Sequence, residues 1–128
     1  MTTSAIMRKC RSGNATELRF RRQLRRALGP DVRFEAKGLP GTPDAVVDRA
    51  KVAVFLHGCF WHGCPKCYKA PRRNRRFWAA KLSRNRARDR RVVAQLRRAG
   101  WLVVILWECD FNEVGTTVVV RMVRSRSA

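Results

Sequence analysis

Gly38-Leu39-Pro40-Gly41-Thr42-Pro43-Asp44-Ala45-Val46-Val47-Asp48-Arg49-Ala50-Lys51-Val52-Ala53-Val54-Phe55-Leu56 decides the fold class of this 128-residue chain. Glycine and proline crowd its first six residues, which reads as a turn-rich loop. Ala45–Val47 and Val52–Leu56 read as two strands joined by a tight polar turn at Asp48–Lys51. Upstream, Val32–Glu35 is another short strand. Downstream, Trp101–Trp107 is a continuous apolar run and predicts a buried strand. A long helix is expected from about Arg73 to Ala99, ending at Gly100. One stripe of it runs Trp78, Leu82, Asn85, Asp89, Val92, Leu96, Ala99 in steps of four and three, and arginines fill the other faces. A first helix is expected from near Asn14, an N-cap with Glu17 three residues on. Leu18, Phe20, Leu24, Ala27 and Leu28 give it an apolar side, and Gly29-Pro30 stops it. Thr116–Val123 has the β-branching of a strand, but the spacing of Val118 and Met122 fits a closing helix, which is preferred. The order of elements predicts an α/β fold with a mixed sheet in two or three layers. Residues 1–13 read as a flexible basic arm and 14–128 as one domain.

Lysine and arginine number 29 against nine acidic residues, for a net charge of +20. An apolar fraction of 45% excludes a disordered basic tail. The expected partner is a polyanion, DNA or RNA, whose phosphates release counterions on binding. An acidic membrane surface is the rival, but the charges are spread over periodic elements rather than gathered in one run. No signal peptide is visible, and no apolar stretch approaches the roughly 20 residues that span a bilayer. A cytoplasmic protein with reduced thiols is therefore expected, in which clustered cysteines read as metal ligands. Arginine greatly outnumbers lysine. That suits bidentate phosphate contacts and equally well reflects GC-rich codons.

Leu56 through Cys67 holds both histidines of the chain, three of its five cysteines and an adjacent aromatic pair. Cys59, Cys64 and Cys67, with Cys109 far downstream, supply four soft ligands for a closed tetrahedral zinc site. Cys64 and Cys67 also fit a redox Cys-x-x-Cys pair. Cys10, alone in the arm, reads as incidental. Asp44 follows a Gly/Pro loop and precedes a strand, where a nuclease places a Mg²⁺ ligand; in isolation, Pro-Asp is more often a structural turn. Asp89 interrupts an apolar stripe, and a buried carboxylate needs a partner. That partner is either an arginine or a histidine whose tautomer it fixes. His57 and His62 can relay protons near neutrality. Phe60, Trp61 and Trp78 read as wedges that stack between bases, or as packing around the cysteine loop.

Four segments occur in order. They are Leu39–Asp44, Phe55–His62, Asn85 through Asp89-Arg90-Arg91, and Trp101 to Trp107-Glu108-Cys109. Together they resemble the very-short-patch repair (Vsr) endonucleases over roughly residues 7–110. The resemblance implies a restriction-endonuclease-like (PD-(D/E)xK-type) mixed sheet flanked by helices, with a structural zinc site. It implies catalytic Mg²⁺ on Asp44, helped by the backbone carbonyl of Leu56, and structural Zn²⁺ on Cys59, Cys64, Cys67 and Cys109. His62 is then the catalytic histidine and Asp89 its partner, with His57 a second histidine near the scissile phosphate. Glu17 is the acidic residue of the first helix that supports the site. Phe60, Trp61 and Trp78 are the major-groove wedge, and Met7 is a minor-groove wedge. The chain departs from the pattern at Leu56, where relatives carry a hydroxyl residue, and at Cys64, where some carry histidine. Its arm is one residue short, and its tail ends soon after Cys109.

The implied activity is a Mg²⁺-dependent nick on the 5′ side of the thymine in a T:G mismatch, starting repair of deaminated 5-methylcytosine. The implied setting is a bacterial cytoplasm. The enzyme would be monomeric on double-stranded DNA and would contact mismatch-repair proteins. The alternatives are a nuclease of the same fold that cuts matched sites and a non-catalytic, zinc-stabilised DNA-binding module.

Overall fold

A computed structural model describes residues 13–127. The first helix, α1, spans Gly13–Leu28, and a 3₁₀ turn at Gly29–Asp31 leads into β1, Val32–Phe34. β2 is Ala45–Val47 and β3 is Val52–His57. The one-turn helix α2, Cys59–His62, precedes the long α3, Arg75–Arg98. β4 is Leu102–Trp107 and α4, Glu113–Ser127, closes the fold. The four strands form one mixed sheet in the order β1-β2-β3-β4. The first two pairings are antiparallel and β3–β4 is parallel, with His57 opposite Trp107 at its end.

Strand alternation sorts the side chains into two cores. Val52, Val54 and Leu56 of β3 and Val104 and Leu106 of β4 face α1 and α4, where they meet Phe20, Leu24, Val119 and Val123. Ala53, Phe55 and Val103 face the opposite side and meet Val92 and Leu96 of α3. The expected α/β mixed sheet flanked by helices is therefore present, in three layers. The β2–β3 hairpin closes through a 3₁₀ turn at Asp48–Ala50, with Lys51 left-handed at φ +51. Lys51 Nζ donates to the Ala99 carbonyl at 2.6 Å and lies over the Trp101 ring, tying this turn to the end of α3.

Several expectations need correction. Asn14 lies inside α1 rather than capping it. Leu18 and Ala27 are exposed, and the inward stripe of α1 is instead Glu17, Phe20, Arg21, Leu24 and Leu28. β4 is an edge strand with one well-covered face, not a fully buried one, and Ile105 opens to solvent. Trp101 lies before it. Glu35 leaves β1 because its φ is +51. The tail is a helix, as preferred. The basic arm, with Met7 and Cys10, lies outside the described residues. Among the described residues, no helix is long and apolar enough to cross a membrane.

Candidate active site and cysteine cluster

Asp44 sits one residue before β2. Its carbonyl accepts the Glu35 N–H at 2.9 Å, fixing the backbone after the Gly/Pro loop. Its Oδ2 accepts the Leu56 N–H at 2.7 Å. Ala45 and Val54 are the last ladder pair of β2 and β3, so Leu56, two residues on, offers its peptide to the same sheet edge beyond the ladder. Its side chain points to the α1–α4 core. A side-chain hydroxyl at this position would face that core and not Asp44. β3 supplies no carboxylate or lysine, so the second half of a PD-(D/E)xK pattern has no counterpart on this strand.

The remaining oxygen, Oδ1, faces the Arg21 guanidinium at 3.6 Å. Arg21 also lies 3.4 Å from Glu17 and 3.7 Å from Glu35. Burial raises the Asp44 carboxyl above the ordinary aspartate range. The Leu56 amide opposes the rise, Glu17 and Glu35 add to it, and Arg21 opposes it.

Asp44 lines one side of an open cavity of about 420 Å³. His57, His62 and Asp89 line it as well, with Arg88, Val92 and Gly41. His62 comes from α2 and Asp89 from the inward stripe of α3. His62 Nδ1 lies 2.8 Å from Asp89 Oδ2, which fixes the Nδ1–H tautomer and leaves Nε2 as the basic nitrogen. His57 ends β3, and its ring stacks on His62 with centroids 3.8 Å apart and planes 12° apart. Burial, then the neighbouring His62, pulls His57 down to about 4, with Asp89 opposing and Arg88 assisting the fall. His57 is therefore a neutral imidazole at pH 7. Asp89 is thus partnered by a histidine, the sharper of the two readings open from sequence.

Cys59, Cys64, Cys67 and Cys109 converge so that their sulfurs all lie within 4.8 Å of one another. All four are free thiols. Cys64 and Cys109 sulfurs are 3.8 Å apart. Four sulfurs at about 2.3 Å from one ion in a tetrahedron stand about 3.8 Å from each other, so this spacing suits a metal. Burial pushes the Cys59 thiol far up and the Cys109 thiol to about 11. Burial opposes a fall at Cys64, but the Lys66 and Cys67 amides outweigh it and favour its thiolate.

The loop is braced on α3. Asn85 donates to the Trp61 carbonyl at 3.0 Å and Arg86 to the Gly63 carbonyl at 3.2 Å. Trp61 and Trp78 meet with ring centroids 5.8 Å apart, and Lys81 lies over Trp61. Both tryptophans are half-buried. The Phe60 side chain lies outside the described residues. Sequence reasoning missed Arg21 and Glu35 as neighbours of Asp44. Arg21 was legible as the one arginine on the stripe shared by Glu17, Phe20 and Leu24; Glu35 carried no signal.

A family model described as DNA mismatch endonuclease Vsr matches residues 1–69. The type II nicking enzyme V.XorIIP of Xanthomonas oryzae is 38% identical over 112 residues, covering 86% of this chain and 82% of that protein. The DNA mismatch endonuclease Vsr of Escherichia coli is 46% identical over 79 residues, covering 60% of this chain and 50% of its own length. The type II nicking enzyme V.NaeI of Lentzea aerocolonigenes is 42% identical over 90 residues, covering 70% and 50%. The chain thus spans about half the length of the last two.

Proposed function

The chain belongs to the Vsr family of DNA mismatch endonucleases, and on that premise we propose that it nicks one DNA strand 5′ of the thymine in a T:G mismatch. That would start very-short-patch repair of deaminated 5-methylcytosine. The observation that carries the reading is the cavity that joins Asp44 to the His62–Asp89 pair.

Hard oxygen donors suit Mg²⁺. Asp44 lines the cavity with one oxygen satisfied by the Leu56 amide and the other 3.6 Å from Arg21, so Asp44, with the Leu56 carbonyl, would hold the ion. When bound, Mg²⁺ would supply charge to polarise the phosphate and stabilise the leaving 3′ oxygen. Glu17 supports this corner through Arg21. His62 takes the proton of the attacking water on Nε2, and Asp89 stabilises the imidazolium that results. The water oxygen bonds to phosphorus as the bond to the 3′ oxygen breaks. His57, neutral, donates a hydrogen bond to the phosphate without adding a second positive ring against His62.

The soft donor set of Cys59, Cys64, Cys67 and Cys109 suits Zn²⁺ as a closed structural site, in a restriction-endonuclease-like fold. Phe60, Trp61 and Trp78 would enter the stack beside the mismatch, where a wobble pair is least costly to unstack. Met7 would act from the minor groove. The exposed arginines of α3 supply phosphate contacts. The enzyme would work as a monomer on double-stranded DNA in the cytoplasm.

A nicking assay on T:G and matched duplexes in Mg²⁺ tests this. The expected result is one nick, at T:G only, lost in Asp44→Asn. Equal cutting of matched DNA would mean a restriction-type nuclease, and salt-sensitive binding without any nick would mean a binding module. Undiminished cutting by Asp44→Asn would remove Asp44 from the mechanism.

A further inference from the structure

Arg21 is an unusual neighbour for a carboxylate expected to hold a divalent cation. Its side chain is only 17% exposed, and it lies within 3.4–3.7 Å of Glu17, Glu35 and Asp44. Its Nε is buried and has no hydrogen-bond partner among the described residues. Its charge rests over the Phe34 ring, 5.5 Å from the centroid. A guanidinium normally makes forked, short hydrogen bonds to carboxylates. Here its contacts with the three carboxylates are longer, at 3.4–3.7 Å, and it is held among them by charge. The two ends of the fork are also divided: Nη2 serves Glu17 and Asp44, while Nη1 serves Glu35.

We infer that Arg21 is a resident cation that neutralises this corner and competes with a divalent ion for Asp44 Oδ1. It is a positioning residue, since it acts through Asp44 and not on the reacting atoms. Oδ2 of Asp44 is already taken by the Leu56 amide, so Oδ1 is the oxygen in contention. Glu35, from the other side, gives the guanidinium a partner that does not depend on Asp44. The competition lowers divalent affinity. It also keeps the three acids from repelling one another in the metal-free protein, because like charges this close disfavour ionisation. The Asp44 corner is therefore filled by charge at all times, either by Arg21 alone or by Arg21 moderated by the bound ion.

The inference rests on Asp44 being a metal ligand. The test is Mn²⁺ binding to the full-length, zinc-loaded protein, read from the electron paramagnetic resonance signal of free Mn²⁺. Arg21→Gln should bind Mn²⁺ at least tenfold more tightly than the parent, because one positive charge next to Oδ1 is gone. Arg21→Lys, which keeps the charge, should stay within threefold of the parent. A residue that only supported the fold would weaken binding when removed, so tightening is diagnostic. Arg21→Met keeps the aliphatic stem on Phe34 and serves if the glutamine variant does not fold. Unchanged or weaker Mn²⁺ binding in a folded Arg21→Gln or Arg21→Met protein overturns the inference, provided Asp44→Asn still abolishes binding. If Asp44→Asn binds Mn²⁺ like the parent, the assignment of Asp44 fails first, and the role of Arg21 fails with it.

Discussion

Gly41 fixes the distance between the loop that carries Asp44 and the helix that carries Asp89, and replacing it with alanine should damage both stability and activity. Its φ is +70, and an added Cβ would stand 2.5 Å from Val92 Cγ1, 3.1 Å from Val92 Cγ2 and 3.3 Å from Phe55 Cε1. Val92 is branched at Cβ and strongly prefers one χ1 rotamer in a helix, so it does not turn away easily. The left-handed backbone costs alanine about 1–2 kcal/mol. Stiffening the unfolded chain returns about 0.4–1 kcal/mol. Overpacking against Val92 adds about 1–3 kcal/mol. The net loss should be about 2–4 kcal/mol. Val92→Ala alone should cost about 1–2 kcal/mol through lost burial. In the double variant, with both Val92 methyls gone, the overpacking against Val92 vanishes, and the backbone cost and the 3.3 Å approach to Phe55 Cε1 remain. The four proteins, unfolded in urea, should therefore show a coupling energy of about 1–3 kcal/mol. Nicking measured in parallel should fall in Gly41→Ala and recover in part with Val92→Ala. Additive losses, within about 0.5 kcal/mol, would refute the claim that this contact sets the spacing.

Asp89→Asn should lower turnover on T:G DNA by about 100-fold or more while leaving DNA binding intact, since without the carboxylate His62 loses the tautomer that makes Nε2 the proton acceptor, a role worth about 10²–10⁴ in rate; a loss under threefold would detach His62 from Asp89. One zinc per chain is expected by atomic absorption, and Cys64→Ser should lose it and melt at lower temperature. The same variant should keep Mn²⁺ binding at Asp44, so loss of both metals together would contradict two separate sites. Trp61→Ala should weaken binding to T:G DNA by about 1–3 kcal/mol per lost stack and narrow the preference over matched DNA; an unchanged preference would return Trp61 to a packing role.

Much of the scaffold was legible because the signals were local. Gly29-Pro30 and Gly100 mark helix ends, and Ala45–Val47 and Val52–Leu56 are β-rich runs around a polar turn. Each reports on its own neighbourhood, and the structure agrees with each. The misreadings share a cause. Leu18 looked inward because leucine is apolar, but the covered face of α1 is set by what α4 and the sheet offer, and that face admits Arg21 instead. β4 reads as buried from its composition, yet an edge position leaves Ile105 open. The pairing of His62 with Asp89 was partly readable, because a carboxylate in an apolar stripe needs a partner. The meeting of Glu17, Arg21, Glu35 and Asp44 was not, because it joins three segments and depends on the left-handed backbone at Glu35.

The register of the parallel strands explains how the cysteine cluster can govern a histidine without touching it. His57 and Trp107 are the last ladder pair of β3 and β4. Cys59 and Cys109 each follow two residues later, so they leave the sheet in phase and side by side. A third and a fourth sulfur, Cys64 and Cys67, come from the loop between them and return the chain to that point. The cluster is thus a clasp across the carboxyl ends of two parallel strands, the end at which ligands commonly bind in such sheets. Asn85 and Arg86 then press the clasped loop onto α3 at the Trp61 and Gly63 carbonyls. His62 lies between those two anchors in the chain, and its ring meets both His57 and Asp89. Asp44 answers to a different set of constraints, the β2–β3 hairpin and the Leu56 amide. The two halves of the candidate site therefore have separate braces, and they are joined through the adjacent Leu56 and His57 of β3, through the Gly41–Val92 contact and across the cavity between them.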